Sequence, residues 1–140
     1  MTARDSTARN IDFVRRYIAL IEAGDDGDAL RRCYHPEVEQ EEFPNAFFPR
    51  GMKRDLTGIT ASFERGRGLL AEQRYEIVNI IASGETVALE FVWTGTLRVD
   101  AGPLPAGKTL RTRSTSVIEF RDGLIFRQRS YDCYDPLTAA

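Results

Sequence analysis

One histidine, two cysteines and one tryptophan are all that this chain of 140 residues carries of those types. A zinc site needs three or four ligands, and His35 with the distant Cys33 and Cys133 does not supply a usual set, so no metal is expected. Two cysteines are too few for a disulfide framework and suit a reducing compartment, which points to the cytoplasm. Charge of one sign is not in excess either. Nineteen basic against 21 acidic side chains give a net charge of -2, which argues against nucleic acid as a partner, since phosphate binding needs a clear positive surplus. No apolar run approaches the roughly 20 residues of a membrane span, and the opening residues lack the apolar stretch of a signal peptide. There is no Gly-x-Ser-x-Gly elbow and no Walker-type loop, and Gly66-Arg67-Gly68 is too short for a nucleotide fingerprint. No cofactor is therefore predicted.

What is present reads as one soluble domain, with 42% apolar and 29% charged residues and no internal repeat. Residues 1–9 are expected to be a flexible tail. A helix is predicted from about Asn10 to Ala23, because Ile11, Val14, Ile18 and Ile21 recur at helical spacing beside a second stripe of Phe13, Tyr17 and Leu20. Gly24 should stop it. A short helix from about Gly27 to Tyr34 should end at His35-Pro36, and Glu37 to Phe43 reads as a strand. Pro44 to Gly51 reads as a loop, whose Phe47 and Phe48 should fold back over something apolar. A third helix follows from about Asp55 to Leu70.

From there the period changes from 3.6 to 2. Gln73 to Ala82, Thr86 to Val99, Lys108 to Phe120 and Leu124 to Tyr134 read as strands joined by turns. They are about twice the usual ~5–6 residues, so they must twist and curl. Helices first and a bent antiparallel sheet after them predict an α+β fold with a concave side.

Particular residues now carry a likeness. Arg16-Tyr17-Ile18-Ala19-Leu20-Ile21-Glu22-Ala23-Gly24-Asp25, then Tyr34-His35-Pro36-Glu37-Val38, resembles the opening of the nuclear transport factor 2-like superfamily. Gly84-Glu85-Thr86-Val87-Ala88-Leu89-Glu90-Phe91, Trp93-Thr94-Gly95-Thr96 and Phe120-Arg121-Asp122-Gly123-Leu124-Ile125 agree with it. The superfamily includes the ketosteroid isomerases, limonene epoxide hydrolase and the SnoaL-like polyketide cyclases. The resemblance implies a single SnoaL-like domain over residues 10–136. It would be a cone-shaped, strongly curved antiparallel sheet closed by three N-terminal helices, and a homodimer through the outer sheet face.

Matched residue by residue, the resemblance gives Tyr17 the place of the isomerase phenol that hydrogen-bonds an enolate oxygen. Gln40 stands where those enzymes hold the general base, and Ser116 where they hold a second oxyanion donor. The Arg-x-Asp pair of the epoxide hydrolase falls on Phe91 and Trp93, while Arg98-Val99-Asp100 has the letters at the strand's end. The acid of the cyclases falls on Ser130, with Asp132 one pleat further on.

Alternation under that geometry turns Val38, Gln40 and Glu42 inward, with Val87, Leu89, Phe91 and Trp93, then Thr112, Ser114, Ser116 and Ile118, then Phe126, Gln128, Ser130 and Asp132. This predicts a mostly apolar pocket with a few polar groups, suited to a small apolar ligand. Glu42 is the favoured general base and Asp132 its competitor, because desolvation lifts a carboxyl towards the working range. The competing explanations are a solvated acidic run for Glu42 and a strand-end cap for Asp132. Tyr17 would polarise a carbonyl, with Gln40, Phe91, Trp93, Ser116 and Ser130 as ligand contacts. The expected function is cofactor-independent proton transfer on an apolar carbonyl compound: isomerisation, cyclisation or hydration. The alternative is a non-catalytic ligand-binding or dimerisation module of the same fold.

Overall fold

The computed structural model describes residues 2–137. Helices α1 (Ala3–Ala23) and α2 (Gly27–Arg31) come first, then strands β1 (Tyr34–Glu42) and β2 (Met52–Arg54). Helix α3 (Leu56–Leu69) leads into β3 (Leu70–Ser83), β4 (Thr86–Leu97), β5 (Thr109–Arg121) and β6 (Leu124–Tyr134). The six strands form one curved, open sheet in the order β2-β1-β6-β5-β4-β3. The helices are thus interleaved with two strands, not stacked ahead of the whole sheet. All neighbours are antiparallel except β1 and β6, which run parallel. No helix among the described residues is long and apolar enough to cross a membrane.

The apolar stripe of α1 explains its place. Val14, Tyr17 and Ile18 are buried and pack with Val87, Leu89, Ile118 and Ile125 of the sheet. The helix begins at Ala3 rather than Asn10, so the expected tail is helical over residues 3–9; Met1 lies outside the described residues. No proline or glycine interrupts those residues, and Ser6 N–H already donates to the Thr2 carbonyl at 3.1 Å. Asn10, on the same helix, is buried and reaches the carbonyl of Gly84 in the β3–β4 turn at 3.5 Å.

Helix α2 is shorter than its pattern suggests. Tyr34 belongs to β1, where its ring is buried against Tyr17. Pro36 is tolerated because the β1–β6 register breaks between Tyr34 and Glu39, so no ladder bond is asked of it. The three-residue β2 has no counterpart in the sequence reading, since so short a strand carries no readable period. It pairs with the end of β1, Gln40 opposite Arg54.

The second half obeys period 2 closely. Along β5, Leu110, Thr112, Ser114, Ser116, Ile118 and Phe120 are all buried while their neighbours are not. One inward assignment fails: Phe126. A bulge on β6 pairs Phe120 with Ile125 and Glu119 with Arg127, which leaves Phe126 as the extra residue. Ile125 takes the buried place instead, and Phe126 lies between the Arg121 and Arg127 guanidinium groups at 3.9 and 4.1 Å.

The turn before β2 depends on Gly51, whose φ of +75° and site 2.9 Å from the Glu42 carbonyl leave no place for a Cβ. Gly51→Ala should therefore destabilise the protein by at least about 1 kcal/mol. Urea denaturation checks this, and an unchanged midpoint would contradict it.

Candidate active site

The concave face of the sheet can be read as rows across the strands. Val87 of β4, Ile118 of β5, Gln128 of β6 and Gln40 of β1 stand side by side. The next row is Leu89, Ser116, Ser130 and Glu42. Beyond it come Phe91, Ser114 and Asp132, then Trp93, Thr112 and Tyr134. Helices α1 and α3 face these rows with Val14, Tyr17, Ile18, Ile59 and Phe63. Between them lies a cavity of about 280 Å³. Polar side chains of β5, β6 and β1 line one wall, with Ser62 and Gln73 elsewhere, and aliphatic and aromatic groups line most of the rest.

All eight residues singled out in the sequence line this one cavity: Tyr17, Gln40, Glu42, Phe91, Trp93, Ser116, Ser130 and Asp132. Their surroundings differ sharply. Tyr17 and Tyr34 share a hydrogen bond of 2.5 Å between hydroxyls, and Gln128 Nε2 donates to the Tyr17 oxygen at 3.1 Å. Gln40 Nε2 donates to Gln128 Oε1 at 2.8 Å, and Arg54 Nη1 donates to Gln40 Oε1 at 3.2 Å. Arg54 also holds Glu42 Oε2 at 2.5 Å and lies over the Phe48 ring. A continuous chain of hydrogen bonds thus runs from two buried phenols to a carboxylate.

Burial raises the pKa of both Tyr17 and Tyr34, so both stay protonated at neutral pH. Two hydroxyls own two protons, and the bond between them uses one. The Tyr17 oxygen already accepts from Gln128. When Tyr34 also donates to it, its own proton meets Gln128 Oε1 at 3.5 Å, a long contact that a ligand oxygen would replace.

The two acids are not equivalent. Glu42 is tied through Oε2 to a buried guanidinium. Among the described residues the Asp132 carboxyl has no ion pair and one hydrogen-bond partner, the Ser114 hydroxyl at 2.6 Å. Burial raises its pKa first of all, the Ser114 bond opposes this, and the charge of Glu42 adds to it. Of the two candidate bases read from the sequence, Glu42 is thus ion-paired and Asp132 is held by a neutral hydroxyl. Ser116, in the row between phenol and acid, is buried, and its Oγ has no hydrogen-bond partner among the described residues. A bare buried hydroxyl costs about 1–3 kcal/mol, which a ligand oxygen or nitrogen would recover.

Several participants escape the sequence reading. Arg54 sits where a loop gives way to an unseen strand, and Tyr34 at a presumed helix end. Gln128 and Ser114 could be placed inward by alternation, but nothing in one sequence pairs them with Tyr17 and Asp132. Arg98-Val99-Asp100 proves structural: Arg98 Nη2 donates to the Leu70 carbonyl and Asp100 accepts from Ala106 N–H. His35 pairs with Asp122 and packs on Phe126. Among the described residues, no group of three or more His, Cys, Asp or Glu could hold a metal ion.

Solved structures share this architecture. AclR of Streptomyces galilaeus, a candidate hydroxylase, is 16% identical with a TM-score of 0.75, covering 91% of this chain and 90% of its own. IdmH of Streptomyces antibioticus, a candidate polyketide cyclase, is 21% identical with a TM-score of 0.72, covering 86% and 89%. A candidate SnoaL-like polyketide cyclase from Jannaschia sp. CCS1 is 16% identical with a TM-score of 0.72, covering 90% and 86%. At such identities the likeness is one of fold. No curated protein matches the chain. The sequence itself goes further, because the profile of the SnoaL-like domain matches residues 14–128, from the first buried valine of α1 to the glutamine that holds Tyr17. The chain belongs to the SnoaL-like domain family.

Proposed function

We propose that the curved sheet and its three helices form a cone whose cavity is the active site of a cofactor-independent enzyme. It moves a proton on a small, largely apolar carbonyl compound. Asp132 takes the proton from a carbon activated by the carbonyl, and the Tyr17 hydroxyl hydrogen-bonds the oxygen on which negative charge develops. Return of the proton to another carbon completes an isomerisation; attack of the enolate carbon on a second carbonyl, whose oxygen then takes the proton back from Asp132, completes a cyclisation. Gln40 and Gln128 hold Tyr17, and Ser116 and Ser130 hold the ligand between phenol and acid. Glu42, occupied by Arg54, helps to keep Asp132 protonation-competent through its charge.

One observation carries this reading: a desolvated carboxylate without a cation shares a cavity with a neutral phenol pair. Groups in that state serve proton shuttling well and serve stability poorly. Similarity to candidate cyclases is consistent with it but does not choose among isomerisation, cyclisation and hydration, since one fold hosts many chemistries.

The outer sheet face supports a homodimer as part of the proposal. Ile81 and Val78 are 61% and 64% exposed, and Ala88, Val92 and Val117 continue the surface. Sedimentation should give a dimer mass at micromolar concentration; a monomer there overturns this part alone.

Deuterium exchange next to the carbonyl of a panel of cyclic ketones, followed by NMR in D2O, tests the chemistry. Asp132→Asn and Tyr17→Phe should each slow exchange by about 10²–10⁴-fold, and Glu42→Gln by much less. Ketones that bind but never exchange would assign the cavity to the non-catalytic alternative.

The acid limb of the exchange profile should lie above the ordinary carboxylate range, because Asp132 must be ionised to act and burial raises its pKa. Stability carries the same signature with a definite sign. The folded state binds the Asp132 proton more tightly than the unfolded chain, so stability falls as pH rises from the unfolded value through the raised folded one. Asp132→Asn removes that penalty. Its melting temperature should exceed the wild type's at pH 7 and equal it near pH 3. A lower value at pH 7 would argue against the desolvated acid.

A further inference from the structure

Trp93 is the one tryptophan of the chain, and two paired residues hold one edge of its ring. Gly95, two residues on along the same face of β4, is buried beneath it. A Cβ on Gly95 would lie 2.4 Å from Trp93 Cη2 and 2.5 Å from Cζ2, so the six-membered ring occupies the space that any other residue would fill. Along the same edge, Nε1–H donates to Gln73 Oε1 at 3.0 Å. Gln73 stands opposite Gly95 in the β3–β4 ladder, and its own Nε2 donates to the Ile21 carbonyl of α1 at 3.5 Å. The amide is thereby oriented with its oxygen toward the indole. Tyr134 meets the indole edge-on at 6.5 Å, and Phe47 of the 43–51 loop packs on Tyr134 at 4.9 Å. Trp93 is nevertheless only partly buried and lines the cavity, one row from Asp132.

These devices do more than packing requires. A core tryptophan needs neighbours and one acceptor for its N–H. This one also has a glycine cut away beneath it, in a row that borders the reacting groups. We propose that Trp93, fixed by Gly95 and Gln73, selects the ligand: its indole is a rigid aromatic wall on which a planar, unsaturated ring stacks beside Asp132. The proposal rests on the cavity being a ligand site and names the ligand's class. A ring already immobilised loses little freedom when a ligand stacks on it, so the preference is built in before binding. The cavity volume of about 280 Å³ sits just below the ~300–1,000 Å³ usual for small-molecule sites, which suits one or two fused rings. Gly95 and Gln73 act through Trp93 and are positioning residues.

Two probes of equal carbon skeleton test the proposal: planar 2-naphthol and saturated decahydro-2-naphthol, titrated calorimetrically. Wild type should bind 2-naphthol more tightly, and the lone tryptophan should be quenched in parallel. In Trp93→Leu and Gly95→Ala the affinity for 2-naphthol should fall about tenfold while that for the saturated compound changes little. Gln73→Leu, which leaves Gly95 in place, should shift the tryptophan emission and weaken 2-naphthol alone by about threefold. The readout is the ratio of the two affinities, which a general loss of packing does not move. Equal affinities in wild type, an unchanged ratio in Trp93→Leu and Gln73→Leu, or parallel loss of both compounds overturns the role of Trp93 and leaves the cavity reading standing. Failure of both compounds to bind wild type overturns both readings.

Discussion

Polar side chains taken out of water must find partners among themselves, and that demand organises the concave wall of this protein. Six groups meet it in series: Tyr34, Tyr17, Gln128, Gln40, Arg54 and Glu42 each use a neighbour's donor or acceptor. A buried amide or phenol without such a bond costs about 1–3 kcal/mol, so the chain fixes the relative placement of α1, β1, β2 and β6 at once. The groups left outside it are the informative ones. Among the described residues, the Asp132 carboxyl has a single neutral partner and the Ser116 hydroxyl has none. Chemistry is read from this remainder, because a wall satisfied throughout would have nothing to offer a ligand.

The same demand separates two acids of like type. Glu42 and Asp132 both line the cavity, yet a guanidinium has claimed one and a hydroxyl the other. Arg54 is itself buried and would be costly without Glu42. The pair is a structural unit at the end of β1 and β2, and it frees the more distant carboxyl for a different task.

Much of this was legible in the residues. The stripes of α1 and the strict alternation of β5 are long patterns, and long patterns survive tertiary context. That is why Tyr17, Ser116 and Asp132 could be turned toward one cavity without coordinates. The failures are short or irregular. The strand from Met52 to Arg54 carries too few residues to show a period, and Arg54 was lost with it. Phe126 was turned the wrong way because one extra residue in β6 reverses parity before the bulge but not after it. The parallel pairing of β1 with β6 was equally hidden, since strands so far apart in sequence share no turn to declare their direction.

That pairing has a bearing on how the molecule is built. β6 comes last of the strands in sequence but lies in the middle of the sheet, between β1 and β5. Until it docks, β1 and β2 are a two-stranded ribbon with a bare inner edge, and such ribbons are marginal alone. Gln40 and Gln128, separated by 88 positions, meet only at that final step. Closing so long a loop is entropically expensive and slow. The polar wall is therefore incomplete until β6 has docked. A nascent chain halted before Leu124 would hold its helices and a β3–β5 meander, but present an open seam to other chains.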